Sequence, residues 1–252
     1  MQFWNSRLRA SGVHLGISLA IAALAAALVF GLWYPYPYRE LSGGRSLFLL
    51  IVAVDVVMGP LITLVVFNPA KPRRELVLDL SVVGTLQLAA LCYGLWTVSV
   101  ARPVHLVFEY QRLSVVHASD VDPEMLAKAD PSLRALPWGG PTLLALRPFR
   151  SSHEEMEATL AALSGASLPA RADLWQPYEA SRAAILEASQ PLPGLMSRYP
   201  DQAQALSAAA QETGLPAASL RYLPVHGRSA IWTALLDPQT ARPLGFVPLD
   251  PY

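Results

Sequence analysis

The chain is short of charge and of cysteine. Asp, Glu, Lys and Arg make up 15% of its 252 residues, and 19 basic residues balance 19 acidic ones, so the formal net charge is zero. Because a nucleic-acid-binding surface has to be basic, we expect no nucleic-acid partner. The single cysteine, Cys92, lies inside an apolar run. Residues 102–252 therefore hold no disulfide, and the cysteine count says nothing of their redox environment.

Motifs that carry catalysis are missing as well. The sequence contains no G-x-S-x-G, P-loop, H-E-x-x-H or C-x-x-C pattern. Glu154 and Glu155 could pass for paired catalytic carboxylates, but a place in the first turn of a capped helix is a sufficient reason for both. We therefore expect a protein that is not an enzyme and that binds no cofactor.

The histidines and arginines near the predicted strands are weak signals for metal or anion binding. His105 and His117 belong to one predicted hairpin, and a turn centred on residues 111–112 points them to opposite faces, which argues against a metal pair. Arg228 and Arg242 near the last predicted strands suit an anion site or, more simply, solvated strand ends. We expect no metal site.

Three long apolar runs dominate the first hundred residues. They occupy residues 11–33, 46–67 and 75–101. A helix needs about 20 apolar residues to cross a bilayer, and backbone groups in hydrocarbon must bond internally, so each run predicts a transmembrane helix. We expect residues 1–101 to form a three-span domain in a lipid bilayer and residues 102–252 to form a separate domain.

The first run could instead be a cleaved signal peptide, because Arg7 and Arg9 precede it. It is longer than the apolar segment of a typical signal peptide, about 7–15 residues, and it ends in the aromatic stretch 33–38 rather than in a small-residue cleavage site. Aromatic rings at the end of a span suit the headgroup layer. We therefore expect an uncleaved first span.

Positive residues beside the spans predict the orientation. The side of the membrane with more Lys and Arg faces the cytoplasm. Arg7, Arg9, Lys71, Arg73 and Arg74 lie on one side, and Arg39, Arg45 and Arg102 lie on the other. This bias predicts a cytoplasmic amino terminus and an outer domain that lies in the periplasm of a bacterial inner membrane.

The outer domain has the pattern of an α+β fold with a mostly antiparallel sheet and helices on one face. Alternating apolar residues predict strands at 104–110, 113–121 and 142–149, and three closing strands within 220–226, 229–237 and 242–250. Asp-Pro pairs at 122–123 and 130–131, and a capping box at 152–155, predict helix starts. Further helices are predicted at 178–189 and 201–213, and residues 165–177 read as loop.

Polar residues within the spans are the strongest candidates for function. Asp55 lies near the middle of span two, where a charge costs about 2.5–3.5 kcal/mol on insertion scales. Gln87 lies at matching depth in span three, so a carboxyl–amide hydrogen bond would satisfy both side chains. The alternative is that Asp55 contacts a polar group on a partner helix. His14 and Asp79 form a second possible pair near the cytoplasmic boundary.

Small residues in span one allow close helix packing. The pairs Gly16/Ala20, Ala22/Ala26 and Ala23/Ala27 have the small-x-x-x-small spacing. Packing against the chain's own spans is the simpler interpretation, and a docking groove for a foreign helix is the alternative. In span two, Gly59-Pro60 predicts a kink, because proline removes a backbone hydrogen bond.

One run is specific enough to carry a resemblance to a known family. Residues 55–72 read D-V-V-x-G-P-L-x-T-L-x-x-F-N-P-x-K-P, and the chain ends in LGFVPLDPY. With the stretches RLRASGVHLGIS and LQLAALCYGLWTVSVARPVHLVFE, these segments resemble the TfpX/TfpZ-type type IV pilin accessory proteins. The similarity is dense over about residues 7–120 and looser through the middle of the outer domain.

The resemblance implies a pilin-specific, chaperone-like accessory protein of the bacterial inner membrane, needed for normal surface piliation. It brings no enzymatic activity and no catalytic residues. The expected partner is the major type IV pilin, and the pilus assembly platform is another possible partner. We expect the pilin helix to pack on spans one and two, where Ala23, Ala27, Gly59 and Pro60 lie, with Asp55 or Gln87 meeting its polar group.

Two other classes of function remain open. A membrane-anchored sensor would bind a small ligand in a well-formed pocket of residues 102–252. An intramembrane hydrolase using Asp55 is a weaker alternative, because no second acid lies at matching depth and Asp79 is too close to the boundary.

Overall fold

The computed structural model describes residues 2–252, with side chains from Trp4 onward, and the chain forms two compact units. The first unit comprises the residues up to Pro35 together with Gly44–Ala101. The second comprises Tyr36–Gly43 together with Arg102–Tyr252. The short segment 36–43, which connects the first two apolar runs, therefore belongs to the second unit.

The first unit consists of helices. Within the described residues, three are long and apolar enough to cross a membrane, as predicted: span one (Trp4–Trp33), span two (Gly44–Val66) and span three (Arg73–Val100). Span one is α1 (Gln2–Leu28) continued by a π-helical turn, Val29–Trp33; span two is α3 (Gly44–Ala53), a π-helical turn, Val54–Met58, and α4 (Gly59–Val66); span three is α5 (Arg73–Val100). The helix α2 (Tyr38–Leu41) lies in the second unit.

Span two packs against both of its neighbours. At one end of the unit, Val29 and Trp33 of span one cluster with Phe48 of span two and Val98 of span three. The hydroxyl of Tyr34 donates to the carbonyl of Ala101 at 2.7 Å, so the ends of spans one and three are also tied by a hydrogen bond. Apolar contacts therefore close this end of the bundle.

The second unit is built on one mixed sheet in which antiparallel pairs predominate, which confirms the predicted fold class. Its strands are β1 (Pro103–Glu109), β2 (Arg112–His117), β3 (Thr142–Leu146), β4 (Trp175–Pro177), β5 (Gln190–Pro191), β6 (Arg221–His226), β7 (Ile231–Leu236) and β8 (Pro243–Val247). Their order is β4-β3-β1-β2-β6-β7-β8, with β5 paired to β6. The pairs β1/β3 and β2/β6 are parallel, and the remaining pairs are antiparallel.

Both faces of the sheet are covered, so the prediction of helices on one face is wrong. Side chains alternate along a strand. Leu106 and Phe108 of β1 enter a cluster with α8 (Arg182–Ala188), whereas Val107 enters a second cluster on the opposite face, beside α6 (Pro123–Lys128). Further along the sheet, α9 (Leu192–Arg198) and α10 (Ala203–Glu212) contribute to a third cluster. The helix α7 spans Ser152–Leu163.

Segment 36–43 is part of the core of the second unit. Leu41 is fully buried and packs in the same cluster as Leu106 and Leu113, together with Tyr38. The carbonyl of Leu41 accepts a hydrogen bond from the backbone N–H of Ser229 at 2.9 Å. Eight residues between two apolar helices thus complete a core whose other members follow Arg102.

The hairpin turn lies one residue earlier than predicted. Glu109 pairs with Arg112, and Tyr110 takes a positive φ of 56° between them. An irregularity between Pro103 and His105 then shifts the register, so that His105 pairs with Val116. Because side chains alternate, His105 and its hairpin neighbour His117 still point to opposite faces, through a different register.

Most helix starts follow the predicted caps. Asp122 accepts the N–H of Glu124 at the start of α6, and Asp130 accepts that of Ser132 at a single 3₁₀ turn. The cap of α7 is Ser151, one residue before the predicted box, and it accepts the N–H of Glu154. The serine that caps a helix needs an extended backbone, which Ser151 has at φ −155°.

Two stretches differ from the prediction. Residues 165–177 read as loop, yet they hold two 3₁₀ turns and strand β4, with Leu174 and Trp175 buried. The helix α9 was not predicted, because Pro191 and Pro193 at its start hide the pattern. The first turn of a helix tolerates proline. The same prolines that predict the end of a helix are therefore also compatible with the start of one.

Candidate functional site

A groove runs between spans one and three, with span two as its floor. Its deepest part is a cavity of about 150 Å³ next to Asp55 and Gln87. The other lining residues are His14, Ile17, Ser18, Ile21, Ala22, Val52, Gly84, Leu88 and Leu91. A second, wider hollow of about 560 Å³ continues the groove from His14 and Ile17 towards Ser6. We call these two hollows together the interhelical groove.

The backbone of span two is irregular where the groove is deepest. Val54–Met58 is π-helical, and Pro60 is the second residue after that turn. In a π-helix a carbonyl bonds to the N–H five residues on, and for Asp55 that residue is Pro60, which has no N–H. The side-chain amide of Gln87 donates to the carbonyl of Asp55 at 3.3 Å. Gln87 thus satisfies a backbone group that proline leaves without a donor.

Gly59 makes room for this contact. A Cβ at Gly59 would lie 2.0 Å from Nε2 of Gln87, so a larger residue would displace the amide. The predicted residues Asp55, Gly59, Pro60 and Gln87 therefore meet at one place in the bundle. The kink signal Gly59-Pro60 corresponds to the transition from π-helix to α-helix.

The carboxyl of Asp55 is not the group that Gln87 binds. Its Oδ1 atom is buried and accepts no hydrogen bond from any residue that the structure describes. The predicted proximity of Asp55 and Gln87 is present, but the predicted carboxyl–amide bond is not. A polar oxygen without a donor in an apolar bundle is costly unless something supplies one.

Spans one and two are joined by polar contacts at the other end of the groove. Ser11 donates to the carbonyl of Pro60 at 2.8 Å, and Nδ1 of His14 lies 2.5 Å from Oγ1 of Thr63. The predicted pair His14–Asp79 is wrong, because Asp79 instead binds Nζ of Lys71 at 2.6 Å. A lysine in the adjacent loop reaches the carboxylate and binds it through a charge-assisted hydrogen bond.

Asp55 also borders a third hollow, between spans two and three. This hollow of about 260 Å³ is lined by span two residues including Leu47 and Ile51, and by Tyr93 and Gly94 of span three. Asp55 thus lines two separate hollows of the first unit.

The small residues of span one divide between two faces. Ala22 lines the groove, and Ala25 is buried against the neighbouring spans. Ala23 and Ala27 are exposed, and a Cβ at Gly16 would meet nothing within 4 Å. The chain's own helices therefore occupy one face of span one, and the face with Ala23 and Ala27 is open.

The second unit contains a larger cleft of about 730 Å³. It lies between the tip of the β1–β2 hairpin, residues 166–169, the turn at Gly227-Arg228 and the last residue, Tyr252. Glu109 lies in its wall with only 4% of its surface exposed, and it accepts hydrogen bonds from Arg112 at 2.7 Å and from Ser114 at 2.6 Å. Sequence patterns missed these residues, because a charged residue at a hairpin tip usually faces solvent.

An ion-pair network supports the cleft. Arg228 donates to the carboxylate of Asp120, which also binds Nδ1 of His117 at 3.2 Å. Burial raises the pKa of Asp120. The hydrogen bond with His117 and the charge of Arg228 outweigh this effect and lower the pKa of Asp120 to about 2. Burial lowers the pKa of His117 below its ordinary value, so this histidine is a neutral donor to a charged carboxylate.

The other sequence candidates have structural partners. His105 shares a hydrogen bond of 2.8 Å with Thr142 and lies edge-on to Trp175. Glu154 accepts two hydrogen bonds from the guanidinium of Arg147, at 2.6 and 3.0 Å. Across residues 2–252, no group of three or more His, Cys, Asp or Glu side chains is placed to hold a metal ion.

Three helices that are long and apolar enough to cross a membrane, together with a separate α+β unit, define the class of membrane-anchored proteins. Comparison with known proteins identifies its family: the chain belongs to the fimbrial assembly proteins. The family model "Fimbrial assembly protein FimB" matches residues 2–43.

Relatives from Dichelobacter nodosus extend the match over most of the chain. The chain is 36% identical to the "Fimbrial assembly protein, serogroup I" and 34% identical to that of serogroup E1, in each case over 90% of this chain and 89% of the relative. The protein of serogroups C1 and C2 is 41% identical over 44% of this chain and 85% of its own length. No solved structure matches the chain significantly.

Proposed function

We propose that this protein takes part in fimbrial assembly as a chaperone-like factor that holds the membrane helix of a fimbrial subunit in its interhelical groove. The observation that carries the proposal is the buried Oδ1 of Asp55, which has no donor among the described residues and lies beside the groove. Membership of the fimbrial assembly family supports the process, and the groove supports the mode of binding.

A helix is the occupant that fits the groove. Its walls are helices, and its smaller hollow is apolar apart from His14, Ser18, Asp55 and Gln87. A helix satisfies its own backbone in hydrocarbon. A donor on that helix, such as a hydroxyl, an amide or an ammonium group, would bind the carboxyl of Asp55. Such polar contacts hold helices together in lipid.

The proposed location follows from charge. We assign the three spans to a bacterial inner membrane, with the amino terminus in the cytoplasm and the second unit in the periplasm, from the distribution of Lys and Arg beside the spans. In this arrangement the protein offers a membrane surface and an outer domain to one fimbrial subunit.

Photocrosslinking in cells tests the proposal. A benzoylphenylalanine at Ala22 lies in the groove, and matched positions at Ala27 and Val65 lie on exposed surfaces of spans one and two. We expect an adduct with the fimbrial subunit from Ala22 and none from Val65. A product from Ala27 alone would show that the subunit helix docks on the open face of span one, where Ala23 and Ala27 lie.

The absence of any subunit adduct from efficiently labelled positions would contradict the proposal. An adduct with a component of the assembly platform instead would assign the groove to a different partner. Either result is read from the mass of the crosslinked product.

A membrane-anchored sensor is the second candidate function, and the cleft of about 730 Å³ in the second unit is the observation that favours it. Exchange of the fimbrial subunit separates the two functions. An assembly factor adapted to one subunit loses its effect on surface fimbriae when that subunit is replaced by a divergent one, whereas a sensor keeps its effect.

A further inference from the structure

Two arginines line the cleft of the second unit, and each is oriented by a hydrogen bond to a carboxylate. Arg112 donates through Nε to the buried carboxylate of Glu109, whose oxygen also accepts the hydroxyl of Ser114. A guanidinium has five N–H donors, so a bond through Nε leaves the fork of terminal nitrogens available. No other hydrogen bond of Arg112 is found in the part of the chain that the structure describes.

Arg228, which also lines the cleft, is held in a similar way. One terminal nitrogen donates to Asp120 and to Oγ of Ser119. Asp120 is itself fixed by the backbone N–H and the ring of His117. Both arginines therefore line the cleft with oriented guanidinium groups and spare donors. A guanidinium fork matches the two oxygens of a carboxylate, which accepts two parallel hydrogen bonds.

The rim of the cleft resembles a protein contact more than an enclosed ligand pocket. Tyr110 and Tyr252 border it and are 57% and 66% exposed. Tyrosine and arginine are enriched where proteins meet, whereas small-molecule pockets bury most of their ligand. The positive φ of Tyr110 is uncommon for such a residue, and it holds the ring at the tip of the hairpin.

We infer that this cleft binds a carboxylate-bearing peptide segment of the fimbrial subunit, with the carboxylate accepting hydrogen bonds from Arg112 and Arg228. The inference rests on the proposed function, since it places the outer part of the same subunit on the second unit. It assigns to Glu109 and Asp120 the role of positioning the two arginines. Tyr110 and Tyr252 contact the rest of the segment.

The test uses the full chain in cells, with benzoylphenylalanine at Tyr110 and, separately, at Ala22 in the interhelical groove. We expect subunit adducts from both positions. Arg228→Gln lowers the Tyr110 adduct about tenfold, because a hydrogen-bonded charge pair is lost. Arg182→Gln, an exposed arginine outside the cleft, leaves it unchanged. The Ala22 adduct persists in both variants.

A second variant tests the arginine that the buried Glu109 holds. Arg112→Lys keeps the charge beside Glu109 but removes the planar fork, and it also lowers the Tyr110 adduct. Near-ultraviolet circular dichroism of the purified full chain checks that the second unit is folded. An unchanged Tyr110 adduct in folded Arg112→Lys and Arg228→Gln would overturn the inference.

Two further outcomes separate the hypotheses. Adducts from Ala22 with none from Tyr110 overturn the cleft inference and leave the proposed function standing, whereas adducts from neither position contradict both. Purified protein is also titrated with a tyrosine-containing acidic pentapeptide, its amide counterpart and free succinate. Binding of the acidic peptide alone supports the inference, and binding of succinate with equal affinity assigns the cleft to a small-molecule sensor.

Discussion

Gln87 donates its side-chain amide to the backbone carbonyl of Asp55, at 3.3 Å, and leaves the carboxyl of the same residue without a partner among the described residues. Spans two and three are thus joined through a backbone group that Pro60 cannot serve. The internal bond holds the bundle together, and the side chain that would be expensive to bury stays available to another molecule.

Gly59→Ala should destabilise the bundle by about 1 kcal/mol, because the new Cβ displaces the flexible amide of Gln87 and breaks its bond to Asp55. Gln87→Leu should cost a similar amount, and the double variant should cost no more than either single one. Unfolding of the purified chain in mixed micelles measures these values. Gly12→Ala, whose Cβ meets nothing within 4 Å, is the matched control. Additive losses in the double variant would show that Gly59 acts elsewhere.

Asp55→Leu should separate stability from function. Removing a polar group from an apolar span favours insertion by about 2.5–3.5 kcal/mol on insertion scales, so the variant should insert and fold at least as well as the parent. The loss of a hydrogen bond to the docked helix should lower surface fimbriae about tenfold, measured by antibody binding to intact cells. Normal insertion with full surface fimbriae would remove Asp55 from the proposed mechanism.

The three spans were predicted from hydropathy, and the proximity of Asp55 and Gln87 from their positions along the spans. Both signals can be found in the sequence of a single helix. The bonded atoms could not be predicted, since the π-helical turn Val54–Met58 changes which carbonyl lacks a donor. The pairing of Lys71 with Asp79 was also missed, because a loop residue's reach is not visible in a pattern of spans.

The α+β class of the second unit followed from alternation and caps, but its long-range contacts did not. Ser151 rather than Ser152 caps α7, a shift that only the backbone angles decide. The cleft arginines Arg112 and Arg228 lie 116 positions apart in the sequence, and no local pattern brings them together. Parallel pairing of β2 with β6 does so, through contacts between Leu113 and Val225.

Leu41→Ala should destabilise the second unit by about 2–4 kcal/mol, because a fully buried leucine leaves a cavity among Leu106, Leu113 and Val225. Tyr36→Ala in the same segment should cost less than about 1 kcal/mol, since more than half of Tyr36 is exposed. Thermal unfolding followed by near-ultraviolet circular dichroism compares the two. Equal effects would mean that the segment does not belong to the core.

Stability of the second unit should fall as the pH drops from about 6.5 to about 4. Burial lowers the pKa of His105 from its ordinary value of 6.5 to about 4. The unfolded chain therefore binds a proton in this range and the folded chain does not, so acid favours unfolding by an amount on the order of 3 kcal/mol. The loss is complete below the folded pKa.

Variants assign this pH dependence to the buried ring. His105→Gln, which stays neutral, should flatten the slope between pH 6.5 and 4, measured by denaturant unfolding at several pH values. His153→Gln, at an exposed position of α7, should keep the parent slope. His117→Gln should also reduce the slope, since burial lowers the pKa of that histidine too. An unchanged slope in His105→Gln would contradict the assignment.

The insertion of segment 36–43 into the second unit sets the boundary for exchanging parts between relatives. A hybrid that takes residues 102–252 from this chain and the remainder from a relative would place a foreign segment against Gly227, where a Cβ would lie 2.2 Å from the carbonyl oxygen of Leu41. The exchangeable module is discontinuous in the gene. The eight codons for residues 36–43 must be exchanged together with those for residues 102–252. Substitutions on the two sides of the contact between Leu41 and Gly227 should accumulate together during divergence.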